Sequence, residues 1–174
     1  MDTSPRPDPT DQVRFAVELA RRNVEYDTGG PFGAAVFEIG TGRLVASGVN
    51  LVVPTNTAIA HAEIVAIALA GQAVGSFDLG ADGQPDMALA CSCEPCAMCF
   101  GAVPWSGVKL VLISARDEDA RAVGFDEGPK MTDWKEQLAA RGIEVRTDIA
   151  REAGARVLGD YVASGGRVYH GRSG

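Results

Sequence analysis

The reading turns on two short stretches, Ala60-His61-Ala62-Glu63 and Pro95-Cys96-Ala97-Met98-Cys99. Between them they offer one imidazole, two thiols and one carboxylate. His61, Cys96 and Cys99 are candidate zinc ligands: tetrahedral zinc held by three protein ligands keeps its fourth position open for water, as a catalytic site requires. Glu63 is then left as an unligated carboxylate beside the metal. The segment from Ala60 to Ala70 (AHAEIVAIALA) is apolar all round except at His61 and Glu63. A helix of that composition is normally buried, and its two polar side chains need partners. A metal satisfies the histidine, and a proton or a substrate satisfies the glutamate, whose pKa burial raises. A spacing of three places both cysteine sulfurs on one face of a helix.

Other readings of the fragments stand beside this one. A C-x-x-C pair by itself also fits a thioredoxin-like redox site. A His-x-Glu by itself also fits a core histidine beside a surface acid. A closed structural zinc site needs a fourth Cys or His, for which the chain offers Cys91, Cys93 and His170. The two halves together, in this order, favour catalytic zinc.

Working outward, 174 residues with 46% hydrophobic and 22% charged content fit one ordinary globular domain. No apolar run reaches the length of a membrane span, no signal peptide is visible, and four cysteines, two of them in a metal-type pair, suit a reducing compartment. The expected setting is therefore cytoplasmic. The net charge of −7 and the three lysines, Lys109, Lys130 and Lys135, disfavour a nucleic-acid substrate, since collecting phosphates calls for a basic face.

In chain order, residues 1–10 carry three prolines and are expected to form a mobile arm. A helix capped by Thr10 or Asp11 runs to about Tyr26, with Val13, Ala16, Val17, Ala20 and Val24 on one face. Strands follow over 34–39 and 43–49, then a loop over 50–59, the His61 helix, and a loop over 75–85. The remainder reads as a buried strand at 87–91, the cysteine helix, strand 109–114, helix 117–122, loop 124–130, helix 133–141, strand 143–147 and helix 152–162. This alternation predicts an α/β fold, a three-layer α/β/α sandwich around one mixed central sheet. A single domain spans 11–163, followed by a tail at 164–174.

Several stretches carry a family resemblance: Gly29-Gly30-Pro31-Phe32-Gly33-Ala34, Gly48-Val49-Asn50, Ala60-His61-Ala62-Glu63-Ile64, the run from Ser92 to Ala102, Trp105, and Gly124-Phe125-Asp126. Across roughly residues 11 to 130 the chain resembles the cytidine-deaminase-like superfamily of zinc deaminases, and within it the bacterial guanine deaminase branch. The first and last of these stretches favour that branch over tRNA adenosine deaminases. The resemblance implies one zinc on His61, Cys96 and Cys99, with Glu63 as proton shuttle. It implies base contacts from Asn50, Phe32, Trp105, Glu127 and the Ala62 backbone. It also implies that a tail aromatic, here Tyr169, closes the pocket, and that the chain forms a homodimer which can exchange its tails.

The implied reaction is hydrolytic conversion of guanine to xanthine and ammonia. The rivals are another small base or nucleoside (cytosine, isoguanine, an aminotriazine, guanosine), tRNA adenosine, and a non-catalytic zinc-stabilised binding module. Two departures bear on the substrate: Asn56-Thr57-Ala58-Ile59 replaces the family's Asn-Asp-Pro-Thr run, and Glu127 stands where an aspartate is expected.

Overall fold

The computed structural model describes residues 4–169. Five strands form one sheet in the order β2-β1-β3-β4-β5: β1 (Gly33–Glu38), β2 (Leu44–Val49), β3 (Met87–Cys93), β4 (Leu110–Ala115) and β5 (Glu144–Arg146). β1 runs antiparallel to both β2 and β3, whereas β3, β4 and β5 are mutually parallel. The sheet is thus mixed, as expected.

Strand periodicity divides the core. Ala34, Val36, Leu89, Cys91, Val111 and Ile113 face α3 (Ala62–Val74) and α4 (Ala97–Ser106), packing with Ala62, Ala66, Ala70 and Val103. Ala35, Phe37, Ala88, Ala90, Leu110 and Leu112 face the other way, against α1 (Pro9–Glu25) and Val157 of α7 (Arg151–Ala163). Successive side chains of a strand point to opposite faces, so an all-apolar strand implies a helical layer on each side. The short helices α2 (Val52–Thr55), α5 (Asp117–Ala122) and α6 (Trp134–Ala139) complete the chain. Among the described residues no helix is long and apolar enough to cross a membrane.

Four expectations change in detail. α1 begins earlier than proposed, at Pro9, because the Asp8 carboxylate accepts the Thr10 N–H at 2.8 Å and proline at the first position completes the start. The described part of the expected arm is tied down: the Arg6 N–H donates to the Gly42 carbonyl at 2.8 Å, and the Arg6 guanidinium lies 4.4 Å from the centre of the Phe15 ring. The 50–59 loop contains α2, ended by Asn56 in the left-handed region. Finally, α3 buries only one side. Leu69 is 43% exposed, so the apolar outer face of this helix is uncovered in the single chain.

Close backbone approach sets where α3 lies. A Cβ at Gly48 on β2 would stand 2.4 Å from the Ala62 carbonyl oxygen and 2.5 Å from the Ala66 nitrogen. The helix that begins at Ala62 therefore rests directly on strand backbone. Gly48→Ala is expected to push α3 off the sheet and to lower the unfolding free energy by about 1–3 kcal/mol, measured by chemical denaturation. An unchanged midpoint would show that α3 does not rest on this contact.

Candidate metal centre and base pocket

His61 is the N-cap of α3, with extended φ and ψ of −70° and 154°. Cys96 is the N-cap of α4, and Cys99 lies in its first turn. Both helices start on the same face of the sheet, so their N-termini converge. The potential ligand atoms of His61, Cys96 and Cys99 lie within 4.8 Å of one another, the only group of three His, Cys, Asp or Glu side chains so placed among the described residues. Cys96 Sγ is 3.5 Å from His61 Nδ1. Tetrahedral zinc with its usual bond lengths sets a sulfur and a nitrogen about 3.5 Å apart. One imidazole with two thiolates is also the donor chemistry zinc prefers. The donor set therefore fits zinc.

The electrostatics agree. Hydrogen bonding from Cys99, and then from His61, brings the Cys96 thiol down to about 4 despite its burial. Cys99 is pushed the other way, by sharing its proton with Cys96 and by burial. A bound cation removes that conflict by holding both as thiolates. His61 is raised: burial works against its charge, but the contact with Cys96 and the nearby carboxylates outweigh it. Glu63, buried in the first turn of α3, is pushed up to about 7 by desolvation and then by the Cys96 charge. A carboxyl with that pKa exchanges a proton readily near neutrality.

Phe32, His61, Glu63, Glu94, Cys96, Phe125, Asp126, Glu127 and Tyr169 line an inner cavity of about 30 Å³, and five of them (His61, Cys96, Asp126, Glu127 and Tyr169) also line a cleft of about 680 Å³. Phe32 packs edge-on against Phe125, ring centres 5.0 Å apart. Asn50 is buried, and its Nδ2 donates to the Tyr169 hydroxyl at 2.6 Å. Tyr169 also stands edge-on to His61 and to Phe125, with ring centres 6.4 Å away in each case. It reaches the pocket from its own chain, and burial lifts its pKa to about 12. Glu127 is buried and lifted to about 8, by desolvation and then by the charges of Cys96 and Glu63. Ala62 is the first residue of α3, so its N–H is one of those a helix leaves without an internal partner.

Within the single chain Trp105 is not brought to this site. It is 85% exposed and lines a separate groove with Phe100, Met131 and Leu138. At roughly 100° per residue, the interval from Cys96 to Trp105 comes to about two and a half turns, which aims the indole away from the metal ligands. Residues that the sequence reading passed over do line or support the pocket. Phe125 and Glu94 border the inner cavity. Asn23 of α1, also buried, donates to the Gly30 carbonyl at 2.8 Å and to the Asn50 carbonyl at 2.9 Å, joining the two loops that carry Phe32 and Asn50. A lone asparagine in an amphipathic helix gives little warning of this, although its position on the apolar face was visible in the helical spacing.

Comparison with known proteins gives concordant results. The family model for the cytidine and deoxycytidylate deaminase zinc-binding region matches residues 8–115. A guanine deaminase of Bacillus subtilis strain 168 is 41% identical over 115 residues, 66% of this chain and 69% of the relative. A solved guanine deaminase from Nitrosomonas europaea superposes with a TM-score of 0.90 at 46% identity, covering 93% of this chain and 88% of that one. A structure in complex with 2,6-diaminopurine superposes with a TM-score of 0.91 at 47% identity, over 95% of this chain and 87% of that one. The same protein has also been solved with 8-azaguanine, as variants at one asparagine and at one glutamate. The fold, the metal-ligand set and these matches agree: the chain belongs to the cytidine and deoxycytidylate deaminase zinc-binding family, and is a zinc-dependent deaminase.

Proposed function

We propose that the protein hydrolyses guanine to xanthine and ammonia. The observation that carries this reading is a second buried carboxyl, Glu127, in the same small cavity as Glu63 and the metal ligands. Deamination chemistry uses one such acid. An additional buried acceptor suits a base that presents several N–H groups, as guanine does. The relatives named above support the choice. In the variants solved with 8-azaguanine, the replaced asparagine and glutamate have the same separation along the chain as Asn50 and Glu127 here.

His61, Cys96 and Cys99 would hold zinc, which would supply Lewis-acid activation of water near neutral pH. Glu63 accepts a proton from the attacking water as the water oxygen bonds to the amino-bearing carbon, and passes it to the adjacent ring nitrogen. It then takes the proton left on that oxygen and passes it to the amino group, which leaves as ammonia as the carbon–oxygen bond becomes a carbonyl. Asn50 and Glu127 hold the base by its polar edge, Phe32 forms an apolar wall, and the Ala62 N–H is placed to bind the substrate oxygen. A cavity of about 30 Å³ holds little more than one water. A base therefore enters when Tyr169 leaves Asn50, and the tyrosine closes behind it. The exposed outer face of α3, with Leu69 at 43% exposure, supports a homodimer. The reaction takes place in the cytoplasm.

Ammonia release by zinc-loaded protein from guanine, isoguanine, cytosine, adenine, aminotriazines, their nucleosides and a tRNA anticodon stem tests the substrate. Turnover of guanine above all others is expected, and preference for another member would reject guanine. Glu63→Gln is expected to retain one zinc per chain while kcat falls on the order of 10⁴-fold; near-normal turnover would remove Glu63 from the proton path. Light scattering is expected to give twice the 18.2 kDa chain mass, and a monomer at working concentrations would leave the α3 face uncovered.

A further inference from the structure

Lys130 is nearly buried, with its side chain 6% exposed. Its ammonium meets three oxygens from two parts of the chain: Glu94 Oε1 at 2.5 Å and the Pro95 carbonyl at 3.0 Å, and Asp117 Oδ1 at 3.1 Å. An ammonium has three donors, so each can be matched to one acceptor. Its charge also lies 5.2 Å from the centre of the Trp134 ring. Two of its partners are the residues directly before Cys96. Lys130 itself sits three positions after Glu127, at the other end of the same turn.

That turn is fastened twice to the cysteine segment. The Ala97 N–H donates to the Glu127 carbonyl at 2.9 Å, and Lys130 grips Glu94 and Pro95. Between these anchors the Asp126 carboxylate accepts the Gly128 N–H at 2.9 Å, and Arg121 donates to the Gly128 carbonyl at 3.0 Å. The backbone that carries Glu127 is therefore fixed beside the cysteine segment. Lys130 is not among the residues lining the inner cavity, so any influence on a bound base passes through others. Its charge also draws the Glu127 pKa downward against the larger effect of burial. A buried ion pair is poor evidence for net stability, since desolvation offsets its attraction. What it does supply is a defined direction.

We infer that Lys130 is a positioning residue, which fixes the Glu127 turn to the Glu94-Pro95 step and so sets Glu127 against the zinc ligands. The inference rests on the guanine-deaminase reading above. Misplacing a contact group by about 1 Å can cost on the order of 10²-fold in rate.

The test is a double-mutant cycle on zinc-loaded protein, with Lys130→Met and Glu127→Gln made singly and together and kcat/KM measured on guanine. Lys130→Met alone is expected to keep one zinc per chain and to lose on the order of 10²-fold in kcat/KM. In the Glu127→Gln background the same change is expected to cost no more than a few-fold, because the group it positions is already lost. A purely structural lysine would give losses that multiply, and that result overturns the role; so does loss of zinc from Lys130→Met. If Lys130→Met does not fold, the neutral pair Glu94→Gln with Lys130→Met replaces it in both backgrounds under the same criterion. Wild-type silence on guanine would overturn the substrate reading itself. Wild-type turnover with multiplicative losses would overturn only the part given to Lys130.

Discussion

Three ligand atoms carried by two separate helices have to meet within a few ångströms, and most of the architecture follows from that requirement. His61 and Cys96 are both helix N-caps, and Cys99 is one turn further on. Their meeting depends on where α3 and α4 start relative to the sheet. α3 is set by direct backbone contact at Gly48, where even a methyl group would collide with the helix. α4 follows directly from β3, whose register between β1 and β4 is fixed by continuous pairing on both sides. A rigid sheet with helices in contact is the support a metal site of this accuracy needs.

The base pocket is assembled differently, from loops at the same end of the sheet. Side chains behind the site join them. Asn23 binds the Gly30 and Asn50 carbonyls, Ser92 Oγ accepts the Gly33 N–H at 3.0 Å, and Lys130 ties the Glu127 turn to the cysteine segment. The metal centre is thus framed by regular elements and the substrate groups by buried polar links.

This division explains what was legible in the sequence. The zinc ligands and Glu63 were readable because each half lies in a short local pattern whose chemistry does not depend on distant residues. The central strands β1, β3 and β4 were readable because both of their faces are covered and their residues are almost all apolar. Trp105 was misplaced because a motif fixes neighbouring residues in sequence but not the rotation of the helix that carries them. α3 was expected to be buried all round, since an apolar helix cannot reveal whether its own chain or a second copy covers it. Asn23 and Lys130 escaped because their partners are mostly main-chain carbonyls and acids far along the chain, and such partners leave no pattern. The start of α1 moved to Pro9 because Asp8, Thr10 and Asp11 are all competent caps, and only the observed bond to Thr10 N–H chooses among them.

Charge balance at the site separates the groups that hold it together from those that react. Cys96, Cys99, Glu94, Glu63 and Glu127 bring five groups able to carry negative charge into a small buried volume. Two positive charges from a zinc ion are matched by the two thiolates, and Lys130 is matched by Glu94, with Asp117 shared between Lys130 and Arg121. Among the described residues no Lys or Arg pairs with Glu63 or Glu127, and they are the carboxyls that burial lifts, to about 7 and to about 8. Each must be neutralised by a proton or by a hydrogen-bonding ligand. In the proposed reaction the Glu63 proton is the one that moves, and the N–H groups of the proposed purine substrate do the same work for Glu127.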